Sequence, residues 1–173
     1  GDGFVMAYGD IVYNPEVLGA LLASSDDISV VVDREWKSYW QLRMSDVLQD
    51  AESLEIDESG RITSIGQKVS DIALIQGQYI GMVAFRGAGL KNVCRLVEEE
   101  KELNLKGTTR IHPVKSLDKI YMTDLLQGLV NNRENVYPIW IQGGWMEIDN
   151  KNDLMLSEKI STVVDARLTI RRD

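Results

Sequence analysis

Apolar runs and amphipathic stretches alternate along the chain. Residues 4–8, FVMAY, form a short apolar run closed by Gly9 and Asp10, which reads as a strand buried on both faces. Asn14 followed by Pro15 and Glu16 marks a helix start, and Val17, Leu18, Leu21 and Leu22 give that helix one apolar face. Residues 28–32, ISVVV, make a second strand that ends at Asp33. Strand, helix, strand in this order predicts a doubly wound α/β sheet. Trp36 and Trp40 sit at helical spacing within 35–43. Residues 54–56 and 61–65 read as a hairpin turned by Asp57, Glu58, Ser59 and Gly60. Residues 72–85 are rich in β-formers around Gly81 and predict a strand pair or one long bent strand.

The second half continues the alternation. Residues 90–103 form an amphipathic helix whose charge run at 98–102 reads as a solvated face. Thr123 is expected to cap a helix reaching 130, with Asp124 in its first turn. A strand at 136–141 leads through Gly143 and Gly144 to a short segment, 145–148, that ends at Asp149. Asn152 is expected to cap a last helix from Asp153 to about 164, and the basic tail 167–172 reads as the end of that helix or a frayed terminus. No repeat or low-complexity linker interrupts 1–173, which reads as a single domain.

Composition narrows the chemistry. Hydrophobic residues make up 44% and charged residues 27%, close to globular averages. The net charge of −8 argues against general nucleic-acid binding, while a bound cation would still admit a small anionic substrate. The single cysteine, Cys94, cannot form an internal disulfide and reads as a small buried hydrophobe, consistent with a reducing, cytoplasmic setting. No apolar stretch approaches a membrane span, and no secretory leader pattern is visible. The single histidine, His112, precedes Pro113 and reads as a loop residue, so a histidine-rich zinc site and a histidine relay are both excluded. Any catalysis must rest on carboxylates, a metal or positioning.

Two aspartates carry the strongest chemical signal. Asp10 follows a strand end, where open α/β sheets collect ligands, and Gly9 allows close backbone approach. Asp149 is a second strand-end carboxylate, within GGWMEID. Two such carboxylates converging on one Mg²⁺ would suit nucleotidyl transfer, in which the protein mainly positions phosphates and neutralises charge. A strand-to-helix turn also favours Gly and Asp, so a purely structural role stays open for each. Trp36, Trp40, Tyr39, Tyr79 and Trp145 are candidate aromatic walls for a cationic head group. Asp50, Glu52 and Asp124 could add negative charge there, and Gln76, Gly77 and Gln78 could supply hydrogen bonds.

An ordered set of segments carries a family resemblance. The segments are YGDIVYNPEVLGALL at 8–22, DREWKSYWQLR at 33–43, DAESL at 50–54, IGQK at 65–68, GQYIGMVAF at 77–85, TDLLQGL at 123–129 and GGWMEIDNKNDL at 143–154. Together they resemble nucleotidyltransferases of the phosphocholine cytidylyltransferase type and the nucleotidyltransferase domains associated with phosphoenolpyruvate mutases. The resemblance implies a Rossmann-like α/β fold with a mixed, mostly parallel sheet flanked by helices. It implies Mg²⁺-dependent transfer of a nucleoside monophosphate, with CTP favoured as donor, to a small phosphorylated or phosphonylated acceptor such as phosphocholine, releasing pyrophosphate. Asp10 and Asp149 match the family's metal-binding aspartates, and Trp36, Glu52, Gln78, Tyr79 and Trp145 fall where the acceptor pocket is built. A sugar-1-phosphate nucleotidyltransferase and a non-catalytic binding module on the same fold are the alternatives.

The family's glycine-rich, Arg- and Lys-bearing phosphate loop has no counterpart in these residues. The chain thus corresponds to the C-terminal two-thirds of such a domain, lacking its N-terminal strands: roughly the first 80–90 residues that the resemblance implies, about half of a typical small domain, have no counterpart. The 1–173 chain alone is therefore expected to bind Mg-CTP weakly and turn over little, which isothermal titration would contradict by showing tight binding. The edge of its first strand is expected to be open and prone to self-association.

Overall fold

The computed structural model describes residues 3–105, 107 and 109–159. The predicted end of the last helix and the basic tail at 167–172 lie outside these residues. Among these residues there are eight strands: β1 (Gly3–Ala7), β2 (Ile11–Tyr13), β3 (Ile28–Asp33), β4 (Glu52–Ile56), β5 (Ile62–Lys68), β6 (Gln78–Arg86), β7 (Tyr137–Ile141) and β8 (Trp145–Glu147). The helices are α1 (Pro15–Ala23), α2 (Trp36–Arg43), α3 (Gly87–Leu105) and α4 (Met122–Asn131), followed by helical residues at 151–159.

The centre is a four-stranded sheet in the order β1-β6-β3-β7, with β4–β5 and β2–β8 as separate two-stranded ribbons. β3 explains the architecture. Every residue in it is buried, as a continuous ISVVV run between two layers requires. The period of two sends Ile28, Val30 and Val32 into one core and Val31 into the other. The first core also holds Phe85, Val93, Leu96, Leu126 and Leu129, from β6, α3 and α4. The second holds Val17 and Leu21 of α1 and Trp36 and Trp40 of α2. Each buried valine here contributes roughly 1.5–3 kcal/mol, so a charge at Val31 would disrupt the layer shared with α1 and α2.

The sheet is mixed and flanked by helices, but it is not mostly parallel. β3 pairs with β7 in parallel, whereas β1–β6 and β3–β6 are antiparallel. The cause is β6, which inserts between β1 and β3 and separates the strands of the first strand–helix–strand unit. β1 is accordingly an edge strand, half-exposed rather than buried on both faces, with Phe4 48% exposed. Its outer edge has no strand partner among the described residues, as expected.

Several local expectations change for identifiable reasons. Residues 72–85 divide into a single 3₁₀ turn at Ile72–Leu74 and the strand β6. Cys94 is exposed, because α3 buries Gly89, Val93, Leu96 and Glu100 and Cys94 falls between those positions. Glu100 in the charge run is fully buried, and both its oxygens accept the backbone N–H of Arg110, at 3.1 and 2.9 Å. Tyr121, not Thr123, caps α4, its N–H donating to Asp124 at 2.7 Å. Asn150 caps the helix at 151, its Oδ1 accepting from the N–H of Asn152 and Asp153. His112 lies in a loop as expected, where its Nδ1 accepts from the N–H groups of Val114 and Lys115.

Candidate functional site

A buried carboxylate at the end of β3 aims the site. Asp33 is 1% exposed. Its Oδ1 accepts from the N–H of Glu35 (2.9 Å) and of Gly143 (2.8 Å), and its Oδ2 accepts from Trp145 Nε1 (2.9 Å). Gly143 and Gly144 both take positive φ, 67° and 80°, which lets the chain reverse out of β7 into β8. β8 then pairs antiparallel with β2, setting Ile11 opposite Glu147. The Ile148 N–H donates to the Asp10 carbonyl at 2.8 Å and closes the ribbon beyond its strands.

This pairing brings Asp10, Glu147 and Asp149 together, with one carboxylate oxygen from each within 4.8 Å of the others. Asp10 and Asp149 are exposed and Glu147 is half-buried. An all-oxygen donor set open to solvent on one side suits Mg²⁺, which retains waters and substrate phosphates in its shell. Burial pushes the Glu147 carboxyl above its ordinary pKa, the hydrogen bond from Arg43 pulls it back, and the Asp149 charge raises it again. Glu147 was not singled out from the sequence, although it stands two residues before Asp149 in WMEID. Strand alternation over those two positions was the available signal.

Glu147 also lines a cleft of about 450 Å³, with Tyr8, Glu52, Lys68, Tyr79 and Trp145 among its walls. Four of the five expected acceptor residues meet there: Glu52, Gln78, Tyr79 and Trp145. Trp36 does not. It is 4% exposed in the core, packed edge-on against Trp40 at 6.1 Å, because its helical position turns it beneath α2. Gln78 lines the cleft, but its amide is committed to the backbone, accepting from Glu52 N–H and donating to the carbonyls of Glu52 (2.6 Å) and Gly77 (3.0 Å). It ties β4 to β6. Gln76 likewise accepts from the Ile56 N–H at 2.7 Å.

The remaining walls carry titratable groups shifted by burial. Burial raises the Glu52 carboxyl to about 7; Lys68 lowers it and Asp50 raises it by smaller amounts. Burial raises the Tyr8 phenol to about 12, with Glu52, Glu147 and Asp10 adding to the effect. The Tyr79 hydroxyl is buried and has no hydrogen-bond partner among the described residues, and burial raises its pKa well above the ordinary value. Trp40 donates to Asp50 at 3.1 Å. Tyr8 lies edge-on to Tyr79 at 5.9 Å, and its ring rests against Gly81, where φ is +81° and a Cβ would collide with it.

No protein-family model matches the chain. A CTP:phosphoglutamine cytidylyltransferase from Campylobacter jejuni is 31% identical over 150 residues, which is 87% of this chain and 56% of that protein. A structure described as a glucose-1-phosphate thymidylyltransferase from Bacillus anthracis superposes with a TM-score of 0.56 at 13% identity, over 92% of this chain and 54% of its own. A nucleoside-diphosphate-sugar pyrophosphorylase from Vibrio cholerae gives 0.51 at 10% identity, over 88% and 54%. These two establish the fold alone. The chain spans about half the length of the proteins it matches. In sequence the chain is similar to a cytidylyltransferase over part of that protein's length, and in fold it is similar to two nucleotidyltransferase structures.

Proposed function

We propose that the chain carries the metal-binding and acceptor-binding parts of a Mg²⁺-dependent cytidylyltransferase acting on a small phosphorylated molecule. The observation that carries this is the position of Glu147, which belongs both to the carboxylate trio and to the wall of the aromatic cleft. Asp10 and Asp149, with Glu147 beside them, would hold the ion. A bound Mg²⁺ would supply charge neutralisation for the phosphates at that point. An acceptor phosphate oxygen attacks the α-phosphorus of the triphosphate, one P–O bond forms, and the bond to pyrophosphate breaks with the electron pair leaving on pyrophosphate.

The cleft favours an acceptor whose remote end bears an amine or amide. Asp50 and Glu52 offer negative charge, Tyr8, Trp40 and Trp145 offer aromatic faces, and the free Tyr79 hydroxyl offers a donor. Phosphocholine and the relative's phosphoglutamine are the two candidates to compare. CTP as donor, a single-domain organisation, a cytoplasmic setting and self-association along the open β1 edge belong to the same proposal. No helix among the described residues is long and apolar enough to cross a membrane.

Pyrophosphate release by the full-length protein provides the test. CTP, UTP, ATP and dTTP would be paired with phosphocholine, phosphoglutamine and glucose 1-phosphate. The expected result is turnover with CTP and an amine- or amide-bearing acceptor, abolished in Asp10→Asn. Turnover with glucose 1-phosphate only, or full activity in Asp10→Asn, would refute the proposal.

A further inference from the structure

Arg43 ends α2 and reaches beneath the carboxylate trio. Its side chain is 5% exposed. Nη1 donates to Glu147 Oε2 at 2.7 Å and Nη2 to Asp149 Oδ2 at 2.6 Å. From behind, Asp153 holds the guanidinium, accepting from Nε at 3.1 Å and from Nη2 at 3.3 Å. Asp153 is itself buried and fixed by the N–H groups of Asp149 and Asn150. The guanidinium also lies 5.4 Å from the Tyr39 ring centroid and 5.8 Å from that of Trp40. Tyr39, one helical turn earlier on the same face, locks β8 by donating its hydroxyl to the Glu147 carbonyl (3.1 Å) and accepting the Glu147 N–H (2.9 Å).

Two features separate this from an ordinary buried ion pair. First, Arg43 takes one oxygen from Glu147 and one from Asp149, leaving Oε1 and Oδ1 without a hydrogen-bond donor among the described residues. Second, the charges do not balance. Glu147, Asp149 and Asp153 share a single guanidinium, and Asp10 adds a further carboxylate beside Glu147 and Asp149, so an excess of negative charge remains on the open side. A planar fork with fixed donor directions sets the angle between two carboxylates, which a lysine ammonium, a point charge, cannot do.

We infer that Arg43 is a positioning residue that orients Glu147 and Asp149 so that their free oxygens face a divalent cation. This rests on the metal site proposed above. Groups that orient metal ligands are worth about 10–100-fold in metal affinity. The inference gives a sign opposite to simple electrostatics: deleting a nearby positive charge should tighten cation binding, whereas losing the orientation should weaken it.

Mn²⁺ titration of the 1–173 chain, followed by the electron paramagnetic resonance signal of free Mn²⁺, reads this directly. Wild type should show one saturable site that Asp10→Asn abolishes. Arg43→Met should weaken Mn²⁺ binding about 10-fold or more, and Arg43→Lys should also weaken it although it keeps the charge. Arg43→Met binding as tightly as wild type, or more tightly, overturns the inference. If Arg43→Met loses its near-ultraviolet circular dichroism and is unfolded, Arg43→Lys decides by the same criterion. If wild type binds no Mn²⁺, or Asp10→Asn binds unchanged, the metal site itself fails, a result distinct from a failure of Arg43 alone.

Discussion

The Glu52 carboxyl lies partly buried in the cleft with no side-chain hydrogen bond among the described residues to hold its charge, and its pKa is raised from 4.5 to about 7, with burial as the main cause. Between those values the folded chain keeps a proton that the unfolded chain has released. Stability from this group therefore falls as pH rises from about 4.5 to about 7, and above 7 the folded state carries the full penalty of a desolvated charge. A gap of about 2.5 pH units sets a ceiling near 3 kcal/mol, and solvent reaching the partly exposed carboxyl brings the expected value to about 1–3 kcal/mol. Glu52→Gln removes the charge and keeps the shape. The substituted chain should be more stable than wild type by that amount at pH 8 and equal to it at pH 4. Urea unfolding followed by tryptophan fluorescence at both pH values measures the difference. A Gln variant no more stable than wild type at pH 8, or equally stabilised at both pH values, would refute the burial argument. A carboxylate retained at such a cost is what a site selected for binding a cationic or hydrogen-bonding group looks like.

Asp33→Asn should destabilise by about 2–4 kcal/mol, because the amide can satisfy the two N–H donors at Oδ1 but then presents its own NH₂ to Trp145 Nε1. Thermal melting should show a drop of roughly 4–16 °C, and a drop below ~2 °C would count against Asp33 as the organiser of the β7–β8 turn. Gly81→Ala should cost about 2 kcal/mol or more, from the left-handed backbone and from displacement of the Tyr8 ring, read as a lowered urea midpoint with unchanged slope. Tyr79→Phe should leave stability within about 0.5 kcal/mol of wild type or raise it slightly, since the buried hydroxyl has no partner to lose among the described residues, while raising KM for an acceptor that needs that donor. An unchanged KM would remove Tyr79 from acceptor recognition.

The elements themselves were legible from residue patterns. The ISVVV run, the Pro15 helix start, the 54–65 hairpin and the apolar face of α3 each encode burial direction locally, and each forms close to where it is expected. Asp10 and Asp149 stood out as strand-end carboxylates. Their mutual distance did not, because periodicity says which way a side chain points and nothing about which distant segment it meets. That distance depends on the β2–β8 pairing, and the pairing depends on a glycine turn held by a carboxylate on β3, 110 positions away from Gly143. The same limit hid β6 between β1 and β3, which made the sheet largely antiparallel, and it hid the burial of Trp36 and Glu100. Arg43 sat inside a segment already noted for its tryptophans, but its partners Glu147 and Asp149 lie 104 and 106 positions away. The sequence alone determined the elements, the acidic balance and the candidate carboxylates, because these follow from local spacing and composition. Only the tertiary structure decided that three carboxylates, one guanidinium and an aromatic cleft share a corner, because long-range strand pairing and desolvation set that arrangement.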